Sequence, residues 1–206
     1  GAQLLAALGN SGLYRSSNSG TSWTQILSGR VDDIIFTPSG DTAFAVGGSN
    51  GLRRSIDGGV TFSAFGSGLA TGTRTHFDLC LTNPAYMYAA VYSSIVNLYK
   101  STNYGANWIF PVVVDTSAVN TEFVCSYYND IQGYYITTSS GNIFISGDDG
   151  LNWTKIAYNN NFGTCSGIEF VQKYPTGITG IGLFNSGIFR TTDGGYNWNN
   201  VYTESS

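Results

Sequence analysis

The stretch GLYRSSNSGTSW, residues 12–23, returns four more times along the chain. It recurs as GLRRSIDGGVTF at 51–62, NLYKSTNYGANW at 97–108, NIFISGDDGLNW at 142–153 and GIFRTTDGGYNW at 187–198. The shared form is [GN]-[LI]-x-x-[ST]-x-[DN]-x-G-x-x-[WF]. Its hydroxyl residues fall at 16, 55, 101, 146 and 191, so successive copies stand 39, 46, 45 and 45 residues apart. All four tryptophans of the chain occupy the last position of the motif. A fixed period of this size marks a repeat architecture, with one supersecondary unit per copy.

Each copy reads as a hairpin. An alternating strand such as Leu13-Tyr14-Arg15-Ser16 runs in, a tight turn follows, and a second strand leaves. The Asp or Asn side chain bonds backbone N–H groups of its own turn. The glycine supplies a backbone conformation with positive φ. The Trp or Phe packs back over the hairpin and fixes its register. The residues in these roles are Ser16, Asn18, Gly20 and Trp23; Ser55, Asp57, Gly59 and Phe62; Ser101, Asn103, Gly105 and Trp108; Ser146, Asp148, Gly150 and Trp153; and Thr191, Asp193, Gly195 and Trp198. A calcium site is a poor reading of them, because Asn replaces Asp in two copies and removes charge that a hard cation needs.

Composition agrees with an all-β chain. The 206 residues suit one domain or two small ones. Only 11% are charged, against about 25% in average soluble proteins. Glycine reaches 27 residues, while Lys and Glu number three each, too few to surface a helical bundle. Leu, Ile, Val and Phe make up about a quarter of the chain and the net charge is −4, which suits a packed core rather than disorder. Nine basic residues against thirteen acidic ones give no cationic field, so neither nucleic acid nor an anionic membrane is an expected partner. No apolar run approaches the 18 or more residues of a membrane span, so no membrane insertion is expected. Cys80, Cys125 and Cys165 form no C-x-x-C pair and read as small buried apolar residues. His76 is the sole histidine and cannot build a multi-His site, so no metal and no cofactor are expected.

The motif resembles the Asp-box, or bacterial neuraminidase repeat, and its five copies cover essentially the whole chain. Sialidases, sortilin-type receptors, xyloglucan-cleaving glycosidases and photosystem II assembly factors carry it. The resemblance implies a β-propeller with the box between the third and fourth strands of each blade. Here that means one five-bladed domain over 1–206. The intervals between boxes support four strands per blade: 23–27, 31–36 and 42–46 in the first, then 77–81 with 86–92, 122–126 with 134–138, and 167–171 with 177–183. The first repeat begins at its second strand, 3–8, and the tail at 201–206 is too short to supply the missing innermost strand as well as an outer one. The count is about nineteen strands rather than twenty. Blade one thus carries a seam, open to strand exchange or assembly with a partner.

Family precedent places active sites on the face opposite the boxes, near the central channel. On that face Arg74, His76 and Asp78 alternate along one side of a strand. They read either as an anion site or acid–base pair, or as a hydrogen-bonded surface trio. Asp32, Asp33, Asp115 and Glu122 are further carboxylates near the same rim. A glycosidase needs two carboxylates roughly 5–9 Å apart. Tyr127 and Tyr128, with Tyr134, Tyr135 and Tyr158 nearby, suit stacking on sugar rings or, equally, alternate burial between blades. Sialidase activity is disfavoured: the chain lacks an Arg-Ile-Pro motif, and its six arginines leave only Arg30 and Arg74 near the proposed face.

The sequence therefore reads as a non-catalytic propeller, a structural or binding module for protein or glycan, within a larger extracellular or virion-surface assembly. The alternative is a glycoside hydrolase-like, sialidase-related enzyme with Arg74, His76 and Asp78 at the channel mouth.

Overall fold

The computed structural model describes residues 3–72, 74–79, 83–93, 95–115, 125–128, 133–137, 142–146, 152–155, 165–173 and 177–203. Nineteen strands among them form five sheets, each in sequence order. The first is three-stranded: β1 (Leu4–Ala7), β2 (Leu13–Ser16) and β3 (Thr24–Leu27). The other four are four-stranded. They comprise β4 (Asp33–Phe36), β5 (Ala43–Gly47), β6 (Gly51–Ser55) and β7 (Ser63–Ala64); then β8 (Arg74–Leu79), β9 (Met87–Tyr92), β10 (Val96–Ser101) and β11 (Ile109–Asp115). Next come β12 (Cys125–Tyr128), β13 (Gly133–Thr137), β14 (Ile143–Ser146) and β15 (Thr154–Lys155); last are β16 (Cys165–Lys173), β17 (Gly177–Phe184), β18 (Gly187–Thr191) and β19 (Asn199–Tyr202). The described registers are antiparallel, as short connections between consecutive strands require. Several boundaries differ from the sequence reading; the strand expected at 167–171, for example, spans Cys165–Lys173. The strand expected at 77–81 starts at Arg74, and the strand expected at 31–36 starts at Asp33, with Val31 held instead in an isolated bridge to Gly9.

The chain divides into two compact units, 1–93 with 97–110, and 94–96 with 111–206. In the first unit the second strands of the second and third sheets are apolar runs. AFAVG in β5 is buried throughout, and MYAAVY in β9 is buried except at Tyr92. Such runs, bounded by turn residues, mark strands covered on both faces. Two cores result. Leu13, Val31 and Ala45 pack with Leu5, Ile26 and Phe62. Phe44, Val46 and Leu52 pack with Phe77, Leu79, Met87 and Trp108. Each fully buried Leu, Val or Phe contributes about 1.5–3 kcal/mol relative to exposure. In the second unit Phe184 sits edge-on to Phe189 and Trp198, with ring centroids 5.6 and 6.1 Å apart.

The repeated turn follows one hydrogen-bond pattern. Ser101 Oγ donates to Asn103 Oδ1 (3.0 Å) and accepts the Gly105 N–H (2.9 Å). Asn103 Oδ1 then accepts the Asn107 N–H, and Trp108 Nε1 donates to the Gly105 carbonyl (2.9 and 3.0 Å). The same bonds join Ser16, Asn18, Gly20, Ser22 and Trp23. They join Thr191, Asp193, Gly195, Asn197 and Trp198 as well. Ser55, Asp57, Gly59 and Thr61 repeat the pattern with Phe62 in the aromatic place. In the fourth copy Asp148 and Gly150 lie outside the described residues.

The glycine in this turn is required twice over. Gly105 has φ +76°, and a Cβ there would stand 3.2 Å from Leu52 Cδ2 and 3.3 Å from Met87 Sδ. At Gly59, φ +83°, a Cβ would come 2.6 Å from Leu5 Cδ1. The positive φ disfavours any side chain at both positions, and a Cβ would also have to displace these neighbouring side chains. The backbone of each of these turns is thereby pressed onto the sheet before it.

Replacing Ser101 by Ala leaves the buried Gly105 N–H without its acceptor and is expected to cost about 1–3 kcal/mol. Truncating the buried Trp108 to Ala is expected to cost about 3–5 kcal/mol. Urea unfolding followed by circular dichroism measures both.

Candidate functional site

At the end of the sheets opposite the repeated turns, polar side chains from three sheets meet. Asp32 immediately precedes β4, and its side chain is only 4% exposed. Its Oδ1 accepts from Arg30 Nε at 2.5 Å, and its Oδ2 accepts the Thr75 N–H of β8 at 3.0 Å. Arg30 Nη1 reaches Asn10 Oδ1 (3.3 Å), and Asn50 Nδ2 donates to the carbonyls of Ser28 and Arg30 (2.9 and 3.0 Å). Asp33, one residue on, accepts the Phe77 N–H on Oδ2 (3.2 Å) and the Ile34 N–H on Oδ1 (2.8 Å). Two adjacent carboxylates thus cap alternate N–H groups on β8, a strand that otherwise has a ladder partner only on its β9 side. A buried carboxylate is tolerated only when bonded in this way.

The structure regroups the sequence-predicted rim residues. On β8 the odd residues Thr75, Phe77 and Leu79 are buried, and His76 and Asp78 alternate with them as expected. His76 Nδ1 faces Asp33 Oδ2 at 3.5 Å, a carboxylate supplied by β4. Asp78 Oδ1 accepts the Leu79 N–H at 2.8 Å. Arg74 opens β8, paired with Tyr92, and its side chain lies outside the described residues. Tyr127 and Tyr128 belong to β12, paired with Tyr134 and Gly133, with their side chains outside the description too. Glu122, Tyr158 and Cys80 fall outside the described residues altogether.

The turn carboxylates are equally engaged. Hydrogen bonds from the Ser55 hydroxyl, the Thr61 hydroxyl and the Thr61 N–H hold the Asp57 carboxyl well below the usual carboxylate range. For Asp193, burial pushes upward, but the N–H and side chain of Asn197 and the Thr191 hydroxyl outweigh it and the net direction is down. Groups held this firmly ionised are poor proton donors near neutral pH. Burial pushes the Lys100 ammonium below the usual lysine value, and it lies 5.4 and 5.8 Å from the ring centroids of Tyr86 and Tyr88.

At the other end, beside the repeated turns, the first unit holds a cleft of about 430 Å³. One wall is the β4–β5 turn, with Thr37, Pro38 and Ser39. Thr42, Phe44, Arg54, Pro84 and Tyr104 complete its lining. The Arg54 guanidinium lies 3.7 Å from the Phe65 ring centroid, and Phe65 in turn packs on Phe44 at 6.1 Å. The sequence reading placed sites only on the opposite face and missed this cleft. Its one sequence signal is Tyr104, a bulky residue where the corresponding turn positions hold Ser19, Gly58, Asp149 and Gly194. Ser19, Gly58, Tyr104 and Gly194 have positive φ, between 57° and 77°, a region costly for a bulky side chain.

Neither a protein-family model nor a curated protein sequence matches the chain. Solved structures do match. A GH74 enzyme from Niastella koreensis aligns over 97% of this chain and 29% of its own, with TM-score 0.68 and 20% identity. An ancestral GH74 enzyme aligns over the same shares, with TM-score 0.70 and 18% identity. YCF48 from Cyanidioschyzon merolae aligns over 98% of this chain and 66% of its own, with TM-score 0.61 and 20% identity. The chain spans less than a third of the length of the GH74 structures. What it shares with all three is the β-propeller fold.

The depressed Asp57 and Asp193 values carry a pH signature. A carboxylate whose folded-state value lies below its unfolded one adds stability above the unfolded value, and that stability is lost as pH falls through the folded one. The urea midpoint is therefore expected to hold from neutral pH down to about pH 4 and to decline below it. In Asp57→Asn that acid decline should be shallower, as read by urea titrations across the acid range.

Proposed function

We propose that the chain is a single-domain, five-bladed Asp-box β-propeller over 1–206, acting as a non-catalytic binding or structural module. The observation that carries this reading is the engagement of its carboxylates. Asp32 and Asp33 are bonded to backbone N–H groups of β8, and Asp57 and Asp193 to their own turns. Acid–base catalysis needs a carboxyl free to exchange a proton with substrate. In contrast, the cleft beside Arg54 offers a concave, largely apolar surface with a cation in its lining, the usual make-up of a binding site. The five sheets, the regular repeat and the likeness to the GH74 and YCF48 structures support the propeller.

The partner in this reading is a protein or a glycan. Arg74, His76, Asp78 and Asp32 in the first unit are further candidates to bind it, and Glu122, Tyr127 and Tyr128 are candidates of their own in the second. The β1 edge, unpaired among the described residues on the side away from β2, is where a strand from a partner would add. The weakly charged, Ser- and Asn-rich composition suits a component of a larger extracellular or virion assembly.

Two measurements test this. Incubation with a panel of aryl glycosides should release no chromophore above buffer; release that disappears in Asp78→Ala would establish a glycoside hydrolase instead. Small-angle scattering should give a radius of gyration of about 17 Å, the value for one compact domain of this length, and a clearly larger value would overturn the single-domain propeller.

A further inference from the structure

We propose that the cleft beside Arg54 and Tyr104 binds a carboxylate carried on an apolar peptide segment of a protein partner. This rests on the reading of the chain as a binding module and gives that module a ligand.

Three observations lead there. The first is the open cation. Arg54 makes no hydrogen bond or ion pair among the described residues; its one partner is the face of Phe65. A guanidinium stacked on a ring has its plane set by the ring, and its N–H donors project from the edge in a fork that fits a carboxylate. In a chain of net charge −4 this is a local attraction for an anion against a weakly repelling background.

The second is the character of the walls. Pro38, Phe44, Pro84 and Tyr104 are apolar or aromatic, and two of the chain's four prolines are here. The Thr37 hydroxyl is already engaged, donating to the Thr42 carbonyl (3.1 Å) and lying 3.0 Å from Ser39 Oγ. A sugar would bring several hydroxyls to a surface with few free partners, and unpaired polar groups weaken binding. An anionic group on an apolar body leaves no such deficit. Arginine and tyrosine around a desolvated pocket are also the side chains that dominate protein–protein recognition.

The third is Tyr104 itself. It holds φ +57° and remains 52% exposed, so core packing does not compensate the unfavourable backbone. Its N–H donates to the Ala85 carbonyl at 3.0 Å, which ties the turn to the one bearing Pro84 and aims it over the cleft. Strain held without packing in return points to a role outside the fold.

The test titrates the intact chain, by isothermal calorimetry, with the blocked peptide acetyl-Phe-Asp-Phe-amide and with its Asn counterpart. The acidic peptide should bind, and the Asn peptide should bind roughly tenfold or more weakly, as loss of a charge-assisted pair requires. Arg54→Gln should erase that preference. Tyr104→Gly should weaken binding yet melt at or above the wild-type temperature, because glycine adopts positive φ without penalty. A purely structural Tyr104 would instead lower the melting temperature and leave affinity unchanged. No heat with either peptide up to about 1 mM, equal binding of the two, or an unaltered preference in Arg54→Gln each overturns the proposal. Binding of glucuronate but not of the acidic peptide overturns the peptide assignment. Glycoside hydrolysis would defeat the binding-module reading above, whereas these titrations defeat only the ligand assigned to the cleft.

Discussion

The structure depends on a hydroxyl oxygen that both donates and accepts. In each described turn the Ser or Thr O–H is donated to an Asp or Asn Oδ1, and its lone pair receives a glycine N–H four residues on. Ser16, Ser55, Ser101 and Thr191 are at most 1% exposed, so water cannot take over either bond. Threonine serves as well as serine because only the oxygen matters. Asn serves as well as Asp because one Oδ1 suffices, as the matching distances at Asn18 and Asp193 show. This bond holds glycine at positive φ, and glycine lets the turn lie against the preceding sheet. At Gly59 and Gly105, which touch Leu5 and Leu52, local turn chemistry and sheet-on-sheet packing become one constraint.

That locality decides what the amino-acid sequence reveals. The hydroxyl, the carboxamide or carboxylate, the glycine and the indole lie within eight residues, so each copy displays its whole hydrogen-bond plan in linear order. The alternation on β8 is legible for the same reason: Phe77 and Leu79 point inward, and His76 and Asp78 do not. The partners across sheets are another matter. Asp33 meets Phe77 from 44 residues away, and no local pattern announces the meeting. The cleft is less legible still. Pro38, Arg54, Pro84 and Tyr104 belong to two repeats and converge only because equivalent turns of the second and third sheets lie side by side. The one trace left in the sequence is a tyrosine where the repeat elsewhere has small or short residues.

Low charge takes on a structural meaning as well. With only 11% of residues charged, the described acidic side chains are largely used to satisfy backbone donors that sheets and turns leave open. Arg30 is bound up with Asp32 in the same network. Arg54, by contrast, is a partly buried guanidinium stacked on the Phe65 ring and lining a cleft.

The position occupied by Ser19, Gly58, Tyr104 and Gly194 has a broader meaning for the repeat. Its backbone is dictated by neighbours on both sides, so its own side chain contributes nothing to shaping the turn. Each copy therefore carries one display slot whose content can change while the scaffold beneath it does not. Tyr104 shows the slot filled with a large aromatic group, and the glycines show it blank. In the first unit, Ser19, Gly58 and Tyr104 are three such slots on successive sheets. A side chain larger than glycine is displayed there at a local backbone cost, while the hydrogen bonds that shape the turn stay the same.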